Sequence, residues 1–225
     1  MPGARAYTER TPISREPAMF RDRREAAEHL IDRLSYLKTE NPLILAIPRG
    51  AVPMGRWMAD ALNGELDVVL VRKVGAPSNP EYAIGAIDEN GRVALEPAAA
   101  YYREEAVNRE VEHQQALIEE RRRRYTPVRS AIDPRGRIVV VVDDGSATGA
   151  TMAAALTALR ARDPRRLIAA LGAAPPETVA RLEALADEVI CLETSRDFRA
   201  VGQFFADFGQ VEDDEVIALL GRNHG

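Results

Sequence analysis

The chain has 225 residues, 46% apolar and 29% charged, a balance that suits one large globular domain able to fold without staples. Its net charge of −5 argues against a general nucleic-acid binder, and one cysteine, Cys191, excludes an intramolecular disulfide and a cysteine-built metal cluster. Unbroken apolar runs reach only five residues, as at 43–47 and 138–142, against roughly 20 for a membrane helix, and the first 19 residues carry Arg5, Arg10 and Arg15 but no apolar core. No membrane span and no secretory signal are therefore expected, and a reducing cytoplasm is the expected compartment.

Residues 1–18 hold three prolines and no hydrophobic period, which predicts an arm ahead of a single domain over 19–225. Asp22 with Glu25 three residues on predicts a capped helix start. Ala27, Leu30, Ile31, Leu34 and Leu37 follow as its apolar stripe. LILAI (43–47) reads as a strand buried on both faces, PRGAVP (48–53) as a turn, and 54–62 as a helix that stops before Asn63-Gly64. LDVVLV (66–71) reads as the next strand, ending at Arg72-Lys73, with a loop over VGAPSNP. Glu89-Asn90-Gly91 between 83–88 and 92–95 is a hairpin signal.

A long charged helix is expected over about 98–124. Its RRRR run (121–124) reads as a solvated, dipole-compensating end. With the arginines of the arm it could also supply a local basic surface. Beyond it, strands at 138–142, 167–171 and 188–192 alternate with helices at 150–161, 176–185 and 213–220. That alternation predicts an α/β fold with a doubly wound, mostly parallel sheet.

The chemistry concentrates in VVVVDDGSATGATM (139–152). A buried strand delivers Asp143 and Asp144 at its C-terminal end. A small-residue loop, GSATGAT (145–151), then enters a helix. Ligands bind at that edge of open α/β sheets, and exposed N–H groups at a helix start bind anions. Ser146, Thr148 and Thr151 add hydroxyls, so a monophosphate fits the loop. The two acids suit sugar hydroxyls or hydrated Mg²⁺. No Gly-Lys pair and no GxGxxG occur, which excludes a Walker loop and a dinucleotide fingerprint. His29 and His113 fall in polar helical stretches and His224 in a tail, so none reads as a catalytic base. Cys191 reads as a core residue.

The 139–152 segment resembles the phosphoribosyl-pyrophosphate (PRPP) motif of type I phosphoribosyltransferases. FRDRREA (20–26), LAIPRGAVP (45–53), VRKVGAPSNPEYAIGA (71–86), APPET (174–178) and FADFGQV (205–211) are similar to a bacterial phosphoribosyltransferase-like group. The resemblance implies a fold with a β-hairpin and a C-terminal hood over about 193–210. It implies Mg²⁺-dependent transfer of the phosphoribosyl group from PRPP to a nitrogenous base, with release of pyrophosphate. Asp143 and Asp144 would hold the ribose hydroxyls or the Mg²⁺. Gly145, Ser146, Ala147, Thr148, Gly149, Ala150 and Thr151 would form the 5′-phosphate loop. Arg49 and Gly50 would form the pyrophosphate loop, with Arg72 and Lys73 as further cations at a strand edge. Only two of the 30 cations are lysines, Lys38 and Lys73, which singles out Lys73.

The resemblance makes 74–82 a mobile cover, in which Glu81 would act as acid or base on the incoming nucleophile. Ala147 stands where 6-oxopurine enzymes place an aspartate, which argues against that base class. Ala51 stands where close relatives show a second glycine. Phe198, Phe204, Phe205 and Phe208 would either stack on a base or pack the hood. A homodimer is consistent with the resemblance, and no nucleic acid or membrane partner is expected. A nucleotide- or PRPP-sensing regulator on the same fold, and a phosphosugar hydrolase, are the alternative activities.

Overall fold

The computed structural model describes residues 20–125 and 131–221. The expected arm and His224 lie outside them, and the side chains of Glu81 and Ala83 are likewise not described. Asp22 caps α1 (Arg23–Arg33), its Oδ1 accepting the Glu25 N–H at 2.9 Å. Glu25 does not return to Asp22. Its carboxylate accepts the N–H of Arg21, one residue earlier, at 2.5 Å. β1 (Leu43–Ala46) and α2 (Val52–Ala61) form where the pattern places them.

The run 66–71 is not one strand. β2 (Glu65–Val68) ends early, the chain bends at Val69 and Leu70, and β3 (Val71–Ala76) begins. Val68, Val69 and Leu70 are buried and Val71 is half-buried, so the apolar stretch 68–71 hides the break. β4 (Asn79–Asp88) follows after two residues, and β5 (Val93–Leu95) after the Asn90-Gly91 turn. The loop expected at 74–82 is thus mostly hairpin. Pro80 misled because β5 pairs only with 85–87, so at Pro80 one side of β4 has no ladder to lose. Gly75 lies at a register shift where a Cβ would come 2.7 Å from the Pro80 carbonyl oxygen.

The helix expected at 98–124 is divided. A 3₁₀ turn at Pro97–Tyr101 ends in extended Tyr102, and α3 spans Glu104–Tyr125. Its basic end is more than a solvated terminus. Arg122 donates to Glu89 at 2.6 Å and reaches Asp67 at 3.4 Å, and Arg124 donates to Asp213 at 2.8 Å. These bonds tie α3 to the hairpin turn, to β2 and to the last helix.

The remaining elements are β6 (Ile138–Asp143), α4 (Ala150–Arg160), β7 (Arg166–Ala174), α5 (Pro176–Glu183), β8 (Glu188–Thr194) and α6 (Asp213–Leu220). Five parallel strands run in the order β2-β1-β6-β7-β8, and β3-β4-β5 form a separate antiparallel sheet. Alternate side chains serve opposite faces. Ile44, Val140 and Ile168 pack with Leu30 of α1 and Met54 of α2. Leu43, Val139 and Leu167 pack with Met152 and Leu156 of α4 and Leu182 of α5. Both faces are covered, which is why these strands read as continuous apolar runs. Among the described residues no helix is long and apolar enough to cross a membrane.

One consequence of the strand order positions the site. From β1 the chain winds outward to β2, and from β6 it winds the opposite way to β7. The loops leaving β1 and β6 therefore diverge and open a crevice at the centre of the C-terminal edge.

Candidate functional site

The central strand β6 carries Asp143 and Asp144 to that crevice, and the two acids are not equivalent. Asp144 is buried, and its Oδ2 accepts the Arg23 Nε–H at 2.8 Å. The loop after β1 presses on the same carboxylate: a Cβ on Gly50 would lie 2.3 Å from Asp144 Oδ2 and 3.2 Å from Arg23. Asp143 is partly buried, and its Oδ1 accepts the Asp144 N–H at 3.0 Å. Burial and the adjacent Asp144 charge push Asp143 well above the usual carboxylate range. Burial also raises Asp144, against the pull of Arg23.

The loop 145–149 is held from several sides. Ser146 N–H donates to the Ala173 carbonyl at 2.9 Å, and Thr178 Oγ1 on α5 donates to the Ala147 carbonyl at 2.9 Å. Gly149 adopts φ +68°, a conformation that favours glycine, and starts α4 without a side-chain cap. Ser146 Oγ accepts the Gly149 N–H at 3.1 Å and Thr148 Oγ1 accepts the Ala150 N–H at 3.4 Å, and each hydroxyl keeps its own proton to donate. Among the described residues nothing accepts the N–H groups of Ala147, Thr148 or Thr151. An open run of donors at a helix start is an anion cradle.

Across the crevice, the Pro48–Arg49 peptide is cis and Arg49 Nη1 meets Glu212 at 3.2 Å in an exposed pair. Arg72 and Lys73 do not end a strand of the parallel sheet. They lie inside β3, on its two opposite sides. Arg72 is partly buried, donates to Gln114 on α3, and shares with Arg121 and Pro48 the lining of a cavity of about 30 Å³. Burial and the Arg121 charge both lower the Arg72 pKa. Lys73 is exposed. The fold thus brings Arg72 toward the β1 loop and recruits Arg121, a member of the run expected to be a solvated helix end.

The hood aromatics pack on one another, and Phe208 stays 38% exposed. Phe204 and Phe205 are buried; Phe198 packs on Phe204 at 5.1 Å, and Phe205 stacks on Phe208 at 5.1 Å. Arg23 covers Phe208, its guanidinium 3.9 Å from the ring centroid. His29 and His113 are exposed on helices. Cys191 is partly buried on β8, and burial raises its thiol pKa.

Sequence reasoning missed Arg23 and Gly172. A Cβ on Gly172 would meet the Asp144 carbonyl oxygen at 2.4 Å, so β7 approaches the acidic strand end where only glycine fits. For Arg23 a signal existed: Arg21, Arg23 and Arg24 crowd the start of α1, where the helix dipole disfavours cations. Such a placement needs a compensating anion, here Asp144.

No group of three or more His, Cys, Asp or Glu among the described residues could hold a metal ion by itself. Hydrated Mg²⁺ does not need one, since it binds through one or two carboxylates plus substrate oxygens. Asp143 fits that use: the Arg23 hydrogen bond goes to Asp144, and a bound cation would favour the charged form of Asp143 that burial and Asp144 disfavour.

The family model for the phosphoribosyl transferase domain matches residues 10–208. A protein of Mycobacterium tuberculosis, found in strains CDC 1551 and H37Rv and named "Putative phosphoribosyl transferase", is 42% identical over 209 residues. The match takes in 92% of this chain and 47% of that protein, so the chain spans about half the length of the curated relatives it matches. The crystal structure of TT1426 from Thermus thermophilus is 47% identical, with a TM-score of 0.83 over 90% of this chain and 97% of that one. The chain belongs to the type I phosphoribosyl transferase family.

Proposed function

We propose that the protein is an Mg²⁺-dependent phosphoribosyltransferase that moves the phosphoribosyl group of PRPP to a nitrogenous base and releases pyrophosphate. One observation carries the reading: two adjacent carboxyl groups and open N–H donors share one end of the central strand, at the switch point of the sheet.

The N–H groups of Ala147, Thr148 and Thr151, with the Ser146 and Thr148 hydroxyls, hold the 5′-phosphate. Asp143 accepts from the ribose hydroxyls, while Asp144, engaged by Arg23, keeps the strand end in place. Gly50 lets the β1 loop lie close to the acids, and Arg49, Arg72 and Arg121 turn positive charge toward the departing diphosphate. The Arg49–Glu212 pair is exposed, so exchanging it for a diphosphate costs little. Mg²⁺, when bound, neutralises charge on Asp143 and on the diphosphate. Lys73 and Glu81 would serve only if the hairpin swings over the crevice, Lys73 as a further cation and Glu81 as acceptor of the incoming nitrogen's proton. The protein's contribution is orientation and electrostatics rather than covalent chemistry.

The test is pyrophosphate release from PRPP and Mg²⁺ over a panel of purine and pyrimidine bases. Release with at least one base, reduced by about a hundredfold or more in Asp143→Asn, is expected. PRPP binding without product for any base would replace the enzyme by a ligand sensor. Release without any base would indicate a hydrolase.

A further inference from the structure

Arg23 makes three contacts that join separate parts of the chain. Its Nε donates to Asp144 Oδ2 at 2.8 Å, its Nη1 donates to the Gly209 carbonyl at 2.6 Å, and its guanidinium lies 3.9 Å from the Phe208 ring centroid. The Arg23 and Asp144 side chains are only 12% and 11% exposed, so this is an enclosed charge pair, as are those of Arg122 with Glu89 and Asp67. The backbone supports the same link. Phe20 N–H donates to the Phe204 carbonyl at 2.9 Å, and the Ala206 and Asp207 N–H groups donate to the Phe20 and Arg21 carbonyls at 2.8 and 2.7 Å. The start of α1 therefore stitches the hood to the core, and Arg23 extends that seam to the acidic end of β6.

We propose that Arg23 is a positioning residue that couples the hood to Asp144, so that the order of residues 205–211 depends on the Asp144 carboxylate. A guanidinium at a helix N-terminus is held against the dipole, and Asp144 is the carboxylate its Nε meets. With that charge removed, Arg23 loses its anchor, and Gly209 and Phe208 lose the group that fixes them. Coupling runs both ways. A ligand that draws Asp144 from Arg23 must loosen the hood, and one that binds more tightly while Asp144 is held by Arg23 must tighten it. This inference rests on the proposed sugar-phosphate site only for that second half. The link between hood and acid stands without any ligand.

The experiment is hydrogen exchange of the full chain, read by mass spectrometry on peptides covering 205–211 and on β6 as an internal control. Without ligand, Arg23→Gln and Asp144→Asn are each expected to raise hood exchange by about tenfold while β6 stays protected. Arg23→Lys is expected to recover part of that protection, because the charge returns without the planar fork. Ribose 5-phosphate is then added as probe. In the wild-type protein it should slow hood exchange. In Arg23→Gln the same probe, at saturating concentration, should leave hood exchange unchanged.

If hood exchange rises in Arg23→Gln but not in Asp144→Asn, the Gly209 and Phe208 contacts act alone and the coupling is refuted. Unchanged exchange in both variants refutes it as well. If Arg23→Gln does not fold, Arg23→Lys and Asp144→Asn decide between the same outcomes. Failure of ribose 5-phosphate to bind the wild-type protein would instead overturn the proposed cradle and leave the ligand-free result to judge Arg23.

Discussion

The end of β6 and the β3–β4 hairpin both present charge beside the crevice, and they are built on opposite principles. β6 is the centre of a five-stranded sheet, covered on both faces, and its acids emerge from a fully buried run. Nothing there can move without disturbing the core. The hairpin belongs to a second sheet, carries Arg72 and Lys73 on opposite sides, and ends in an exposed turn. The contrast teaches that a charge delivered by the central strand is positioned by packing. A charge on the hairpin is positioned by whatever side chain it meets, as Arg72 is by Gln114.

The most forceful way to break the comparison is Asp143→Asn. Turnover of PRPP should fall by about 10²–10³-fold, because the group that meets the ribose is lost. Stability should move the other way. Burial raises both acids, so the folded protein keeps protons that the unfolded chain releases. The contribution of these two acids to stability is therefore fully present below the ordinary carboxylate range and is lost as pH rises through the elevated values. Asn has no charge to bury, so the variant should be about 1–2 kcal/mol more stable than wild type at pH 7.5. That advantage should vanish near pH 3, where both proteins are protonated at the site in either state. Thermal melts across pH check both signs, and a variant less stable at neutral pH would contradict the assignment.

Gly172→Ala tests whether packing sets the acidic end. Its Cβ would meet the Asp144 carbonyl oxygen at 2.4 Å, a backbone atom that cannot rotate away. A loss of about 2–3 kcal/mol is expected in urea unfolding. Gly50→Ala meets a carboxylate rather than backbone and should cost about 1–2 kcal/mol.

Smaller effects belong to the hairpin side. Arg72→Ala and Arg121→Ala should each raise the KM for PRPP by about tenfold, with a weaker salt dependence than wild type. Lys73→Ala, on the opposite side of β3, should change it by less than about threefold. If Lys73→Ala proves the more damaging, the hairpin swings over the crevice during the reaction and the resting arrangement is not the working one.

What the sequence discloses follows the same division. The run 138–142, its two acids and the small-residue loop can be read directly, because a buried strand followed by Gly and Thr leaves few other folds open. The hairpin could not be delimited. Val69 and Leu70 are as apolar as the strands on either side, and Pro77 and Pro80 signal a loop although one free side of β4 tolerates Pro80. The pairing of Arg23 with Asp144 joins residues 121 positions apart, which no local pattern reports. Arg121 was masked by its neighbours, since four consecutive arginines look alike until the fold turns Arg121 to the cavity beside Arg72, Arg122 to Glu89 and Arg124 to Asp213. The hood phenylalanines suited two readings; mutual contacts show packing for Phe198, Phe204 and Phe205, while Phe208 stays exposed.

The central claim is that the loop after β6 cradles a sugar phosphate through its backbone. Amide NMR of the ¹⁵N-labelled protein titrated with ribose 5-phosphate tests it most directly. The account predicts that the largest shifts fall on the N–H groups of Ala147, Thr148 and Thr151, saturate with the binding curve and disappear with ribose in place of its phosphate. Saturable shifts confined to other residues, or none at all in that loop, would contradict it.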